Sequence, residues 1–84
     1  MTIRTLYFAS LRETLGSSGE QIELPAAART VGDLRAHLAA RGEPWNALTT
    51  TKNLRAAVNQ AMVGMETTIQ DGDEIAFFPP VTGG

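Results

Sequence analysis

Five short segments of the chain have the composition or the alternation of apolar residues that is typical of β-strands. In chain order they are residues 3–8, 20–24, 54–58, 62–65 and 74–78. The residues between them include strong turn formers, namely Pro25, the pair Asn59 and Gln60, and the run Asp71-Gly72-Asp73. The pattern therefore predicts a mixed sheet of four to five strands.

One longer segment has the spacing of a helix. Its apolar residues recur at intervals of three or four, at Val31, Leu34 and Leu38. Thr30 and Asp33 match the capping box that starts helices, and Gly42 suits the left-handed residue that ends them. We expect residues 10–15 to add a short helical turn and residues 45–53 to form a loop that contains another.

The order of these elements is two strands, the helix, and then two or three strands. A single main helix covers one face of such a sheet, which makes a two-layer α+β domain. The helix separates the second and third strands, so we expect the two terminal strands to meet at the sheet centre. This is the β-grasp, or ubiquitin-like, arrangement. It assigns residues 1–80 to the domain and residues 81–84 to a flexible C-terminal tail ending in Gly-Gly.

Composition and charge narrow the range of functions. The 84 residues suffice for one domain, and the net charge of −2 arises without runs of either sign. We therefore expect neither a nucleic-acid nor a membrane partner. The first residues lack the apolar core of a secretion signal, which predicts a cytoplasmic protein.

The chain has no cysteine and a single histidine, His37. Disulfides, thiolate metal sites and thiol nucleophiles are therefore excluded, and so is a site with several histidines. Asp71 and Asp73 are more typical of an acidic turn than of a metal site, because no further ligands accompany them. We expect no metal, no permanently bound cofactor, and a protein that binds or carries something.

The chain ends in Val81-Thr82-Gly83-Gly84, directly after Pro79 and Pro80. The prolines favour a stiff exit from the last strand, and four extended residues span about 13–14 Å. Because glycine lets a partner's backbone approach closely, this arm is suited to a narrow channel. Adenylation with ATP would activate its carboxylate, and sulfur attack would then give a thiocarboxylate. Without cysteine, the Gly84 carboxyl is the expected attachment point for sulfur.

Three stretches carry a resemblance to a known family. They are LYFASLRE at residues 6–13, AAVNQ at residues 56–60 and DGDEIAFFPPVTGG at residues 71–84. They are similar to the small subunit of molybdopterin synthase, a ubiquitin-like sulfur carrier protein. The resemblance covers nearly the whole chain, and its ending is the most specific part.

The resemblance implies a reaction sequence. An adenylating enzyme of the ubiquitin-activating type uses ATP to charge Gly84, and a sulfur-donor enzyme supplies the sulfur of the thiocarboxylate. Val81, Thr82, Gly83 and Gly84 then insert into the large synthase subunit, in an expected heterotetramer. There the sulfur passes to cyclic pyranopterin monophosphate, in molybdenum cofactor biosynthesis. The resemblance places catalytic side chains on the large subunit, so the chain is not an enzyme on its own and Gly84 is its reacting group.

Strand alternation predicts where the partner docks. Phe77 and Phe78 point to opposite faces of the last strand, and one helix covers only one face. We therefore expect Phe78 to be exposed in a small apolar patch with Phe8 and Met62. The alternative is that these three residues complete the core or lie under a loop. By resemblance, Arg12 contacts the partner or the tail; otherwise it is a solvated surface residue.

Three other functions stay open on the sequence alone. A carrier that delivers sulfur to thiazole formation for thiamine has the same ending, although Phe77-Phe78-Pro79-Pro80 favours the molybdopterin type. A ubiquitin-like modifier joined to lysines through Gly84 starts from the same acyl-adenylate. A β-grasp binding module that ends in glycines by coincidence would keep its function without Gly84, whereas a carrier would lose it.

Overall fold

A computed structural model describes residues 1–80 of the chain. Its strands are β1 (Thr2–Tyr7), β2 (Gly19–Glu23), β3 (Arg55–Val58), β4 (Ala61–Val63) and β5 (Glu74–Phe78). Its helices are α1 (Ala9–Leu15), α2 (Val31–Ala39) and α3 (Ala47–Thr50). Each predicted element is present, and the bounds differ by no more than two residues.

The strands form one sheet in the order β2-β1-β5-β3-β4. The first and last strands pair in parallel at its centre, with Thr5 opposite Ile75. The other neighbours pair antiparallel. This is the predicted β-grasp topology, and the prediction of a mixed sheet covered by one main helix is confirmed.

The capping box fixes the start of α2. The Thr30 side chain accepts a hydrogen bond from the Asp33 backbone N–H, and the Asp33 carboxylate accepts one from the Thr30 N–H, both at 3.1 Å. These bonds satisfy donors that a helix start leaves free. The helix ends at Ala39, before Gly42, which has a φ of +88° and belongs to the following turn.

The core lies between α2 and one face of the sheet. Its fully buried members from helix and sheet form one cluster, which includes Ile3, Tyr7, Val31, Leu34, Leu38, Ala56, Ile75 and Phe77. The sheet members alternate along their strands, as expected when only one face is covered. The chain has no cysteine, so burial of this set in a single layer stabilises the fold without a disulfide bond.

One polar group is built into the covered face. The Tyr7 hydroxyl accepts from Thr5 (2.9 Å) and donates to Glu20 (3.3 Å), and Arg41 holds Glu20 with two bonds of 2.8 and 3.0 Å. Burial raises the pKa of Tyr7 to about 12, and Arg41 lowers the pKa of Glu20. Trp45 packs edge-on against Tyr7, with ring centres 5.5 Å apart, and under the Arg41 guanidinium. Trp45 is thus a packing residue near the end of α2.

Candidate docking site

The second face of the sheet has no covering helix within residues 1–80. The strand register places Leu6 beside Ala76, Ala76 beside Ala57, and Ala57 beside Met62. This row crosses four neighbouring strands. Because its middle positions are alanines and its ends are larger, the face has a shallow trough.

The trough forms part of an open depression of about 350 Å³. Apolar side chains make up most of its lining, which consists of Leu6, Phe8, Ala57, Gln60, Met62, Glu74, Ala76 and Phe78. Phe8 is 45% exposed and Met62 is 60% exposed, which is unusual for such large apolar side chains. Phe78 is half-buried. The structure thus brings together Phe8, Met62 and Phe78, while their role in binding stays a prediction.

Arg12 lies apart from this depression. It is an exposed residue of α1 and is absent from the lining of the depression. The strand alternation that places Phe8 does not extend to Arg12, since the chain turns into α1 immediately after Phe8. Its contact with the partner or the tail stays a prediction from the resemblance.

The depression lies close in the chain to the start of the predicted tail. Phe78 is both the last residue of β5 and part of the lining, and only Pro79 and Pro80 separate it from the tail. The predicted flexible tail, Val81-Thr82-Gly83-Gly84, lies outside the described residues. A partner seated over Phe78 therefore lies within the reach of a four-residue arm, about 13–14 Å at full extension.

The acidic turn before β5 serves the fold. The Asp71 carboxylate accepts the Thr2 N–H at 2.7 Å, and the Asp73 carboxylate accepts the Gln70 N–H at 2.8 Å. Gly72 has a φ of +86°, which a turn with glycine tolerates. Across residues 1–80, no three acidic or histidine side chains come together as metal ligands. The two carboxylates are therefore turn residues.

Three of the eight lining residues were predicted from the sequence, and the other five were missed. Leu6 and Ala76 follow from the same alternation that places Phe8 and Phe78, and Ala57 is the neighbour of the buried Ala56. A small side chain such as alanine contributes little contact area, so it is not by itself a signal of a docking surface. Here their small size creates the depression, so the combination of alanine with strand alternation was the available signal.

Comparison with known proteins finds relatives that match the chain over nearly its whole length. The sequence profile of the ThiS family matches residues 5–84. The molybdopterin synthase sulfur carrier subunit of Escherichia coli (strain K12) is 45% identical over 82 residues, which are 98% of this chain and 99% of the relative.

Solved structures share the fold. Small archaeal modifier protein 1 of Haloferax volcanii has a TM-score of 0.77 at 25% identity, covering 95% of this chain and 98% of that one. A chain from the complex of subunits 1 and 2 of the molybdopterin-converting factor of Helicobacter pylori has a TM-score of 0.67 at 24% identity, covering 100% of both. No helix of residues 1–80 is long and apolar enough to cross a membrane. From its profile match and its relatives, the chain belongs to the ThiS family.

Proposed function

We propose that this chain is the sulfur carrier subunit of molybdopterin synthase and carries sulfur as a thiocarboxylate on Gly84. The single observation that supports this most is the position of the apolar depression at the root of the Gly-Gly tail. A docking surface at that place directs the tail into the protein that is bound. The relative from Escherichia coli carries the same function in its name.

The chemistry needs two other enzymes. The Gly84 carboxylate attacks the α-phosphorus of ATP on an adenylating enzyme of the ubiquitin-activating type, and pyrophosphate leaves. Hydrosulfide supplied by a donor enzyme then attacks the acyl carbon and displaces AMP, and loss of its proton leaves the thiocarboxylate. This chain supplies the acyl group, and the absence of cysteine leaves no competing thiol acceptor in it.

The proposed partner that receives the sulfur is the large synthase subunit. Phe8, Met62 and Phe78 would pack against it, and Val81-Thr82-Gly83-Gly84 would enter its active site. Two carriers and two large subunits would form the heterotetramer, with cyclic pyranopterin monophosphate as the sulfur acceptor. The Helicobacter pylori chain of the same fold is named as part of a two-subunit complex, which supports this arrangement. Catalytic side chains would then belong to the large subunit.

Intact mass spectrometry tests the carrier role. The protein is incubated with the adenylating enzyme, ATP and a sulfur donor, and we expect a species about 16 Da heavier. Methionine oxidation gives about the same mass gain, so fragment spectra must locate the added mass at Gly84. A variant that lacks Gly84 but keeps the rest of the chain is the matched control and should gain no mass there. Absence of the species in the full-length chain would contradict the proposal.

Two outcomes separate the carrier from its alternatives. Sulfur transfer to a thiazole-forming synthase, with none to the large molybdopterin synthase subunit, would assign the chain to the thiamine route. The likeness to a protein named as an archaeal modifier favours a second candidate function, conjugation to lysines through Gly84. Isopeptide adducts of Gly84 in cell extracts, without any thiocarboxylate, would support that function.

A further inference from the structure

Two turns meet beside the depression and are joined by one side chain. Asn59, in the turn between β3 and β4, donates from Nδ2 to the Asp73 carboxylate at 3.0 Å. Its Oδ1 accepts the Glu74 backbone N–H at 3.0 Å, and its own backbone N–H donates to the Glu74 carbonyl at 2.8 Å. Three hydrogen bonds thus tie Asn59 to the start of β5.

The other side of this junction is itself anchored. The second carboxylate oxygen of Asp73 accepts the Gln70 N–H at 2.8 Å, and the Asp73 carbonyl accepts the Arg4 N–H at 3.0 Å. Asp73 is therefore fixed both to its own turn and to β1, which pairs with β5. We call the pair Asn59 and Asp73 the latch.

The backbone at Asn59 explains why this residue type suits the position. Asn59 and Gln60 have φ angles of +49° and +72°, so both occupy the left-handed region of a two-residue hairpin turn. Asparagine tolerates this conformation better than most side chains. Its planar side-chain amide also carries a donor group, Nδ2, and an acceptor, Oδ1, and both form hydrogen bonds here.

The latch lies at the rim of the depression. Gln60 and Glu74, the residues that directly follow Asn59 and Asp73, both belong to its lining. Met62 projects from β4, which is an edge strand with β3 as its only strand neighbour in residues 1–80. The position of Met62 relative to Phe78 therefore depends on how the β3–β4 hairpin is held against β5.

We propose that Asn59 is a positioning residue, which sets the affinity for the partner by holding the Gln60 and Met62 side of the depression against β5. This inference rests on the proposed function, since it takes the depression to be the docking surface. Asn59 need not touch the partner. Its effect is to keep the two walls of the depression in the spacing that the partner recognises.

The test exchanges the neutral and the negatively charged side chain of the latch in the full-length chain. Asn59→Asp removes the donor and puts a second carboxylate beside Asp73, where like charges repel. Combining Asn59→Asp with Asp73→Asn keeps every bond and exchanges donor and acceptor only between the two latch side chains: the new carboxylate accepts from the new amide and still accepts the Glu74 N–H. The new amide oxygen can still accept the Gln70 N–H. Asn59→Gly keeps the left-handed turn but lacks the side chain.

The readout is the Kd for the purified large synthase subunit, measured by calorimetry well below the Tm of every variant. We expect Asn59→Asp and Asn59→Gly to bind about five- to tenfold more weakly, and the double variant to bind within about twofold of the wild type. Amide NMR spectra verify that each variant is folded. A lowered Tm with an unchanged Kd would make Asn59 purely structural and overturn the inference, and so would failure of the double variant to recover affinity.

A separate variant distinguishes failure of the latch from failure of the docking surface. If Phe78→Ala binds as well as the wild type, the depression is not the docking surface and the proposed function loses its support. If Phe78→Ala binds weakly while all Asn59 variants bind normally, the docking surface stands and the latch is refuted. If both sets bind weakly and the double variant recovers, the latch is established.

Discussion

Two neighbouring phenylalanines of β5 show how the two faces of the sheet differ. Phe77 is fully buried in the core between the sheet and α2, whereas Phe78 is half-buried and lines the open depression. The residues are of the same type, on the same strand, one peptide bond apart. Only the face of the sheet differs, so the core and the proposed docking surface use separate side chains of the same strands.

The two faces also differ in how completely their groups are satisfied. On the covered face, the buried hydroxyls of Thr5 and Tyr7 have hydrogen-bond partners, and within residues 1–80 no buried side-chain polar atom lacks one. On the open face, Phe8 and Met62 keep large apolar areas in contact with water. An uncovered apolar surface of this kind marks an interaction site. The covered face is complete in itself, whereas the open face is the proposed docking surface for the partner.

Truncation of the two phenylalanines tests the comparison with the largest expected effect. Phe77→Ala should lower the free energy of unfolding by about 3–5 kcal/mol, because it leaves a cavity in the closed core. Phe78→Ala should lower it by less than about 1 kcal/mol, because the side chain is partly solvated already. Denaturant titration of both variants measures the difference. Equal losses would contradict the division between the two faces.

Binding should show the reverse order among folded variants. We expect Phe78→Ala or Met62→Ala to weaken binding to the large synthase subunit by about 2 kcal/mol, roughly 30-fold, as truncation of a central apolar contact does. His37→Ala is the matched control, since His37 is exposed on α2 at the covered face. It should leave the Kd unchanged. Unchanged binding in both Phe78→Ala and Met62→Ala would place the docking surface elsewhere, and an equal loss in His37→Ala would show that the losses are not specific to the depression.

The sequence predicted the covered face better than the open one, for a physical reason. The pattern of Val31, Leu34 and Leu38 and the strand alternation report burial directly, because burial selects apolar residues at fixed spacing. The Tyr7 network escaped prediction, since Glu20 lies 13 residues from Tyr7 and Arg41 lies 21 residues from Glu20. Contacts at such separations follow from the topology rather than from local spacing.

The open face was predicted only in part, although strand alternation applies to each of its lining residues that lies in a strand. Phe78 and Met62 were placed from their strands, whereas Arg12 lies in α1, where the rule has no force. Asn59 was correctly predicted as a turn residue, yet its side-chain bond to Asp73 joins turns 14 residues apart. The turn was visible in the sequence, and the latch was not.

The covered face should also dominate the alkaline pH dependence of stability. Burial raises the pKa of Tyr7 to about 12, against about 10 in the unfolded chain. The stabilising contribution of the neutral phenol is therefore complete below about pH 10 and is lost as the pH rises toward about 12. The slope in that window is at most about 1.4 kcal/mol per pH unit.

Tyr7→Phe provides the comparison for this pH window. The variant lacks the titrating hydroxyl, so its free energy of unfolding should fall less steeply between about pH 10 and 12 than that of the wild type. Thr5 keeps a hydrogen bond to the Glu20 carbonyl at 3.3 Å, which limits other losses. Chemical denaturation across the pH range measures both slopes. Identical slopes would show that the pKa of Tyr7 is the same in the folded and the unfolded chain.

The smallest predicted effect is the most demanding test of independence between the faces. Thr30→Ala removes the helix cap and should cost about 1 kcal/mol of stability, while Thr30→Ser should retain it. The start of α2 is tied to the segment after β4, since the Val31 and Gly32 N–H groups donate to the carbonyls of Thr67 and Met65 at 3.0 and 2.8 Å.

These backbone bonds connect the start of α2 to the β4 side of the sheet. They involve no Thr30 side-chain atom, so they persist when the cap is lost, and we expect the Kd for the large subunit to be the same in Thr30→Ala and in the wild type. A lower Tm with an unchanged Kd would mean that a face can lose stability without altering the surface behind it. A weaker Kd in Thr30→Ala, restored in Thr30→Ser, would instead show that α2 controls the depression through the segment that follows β4.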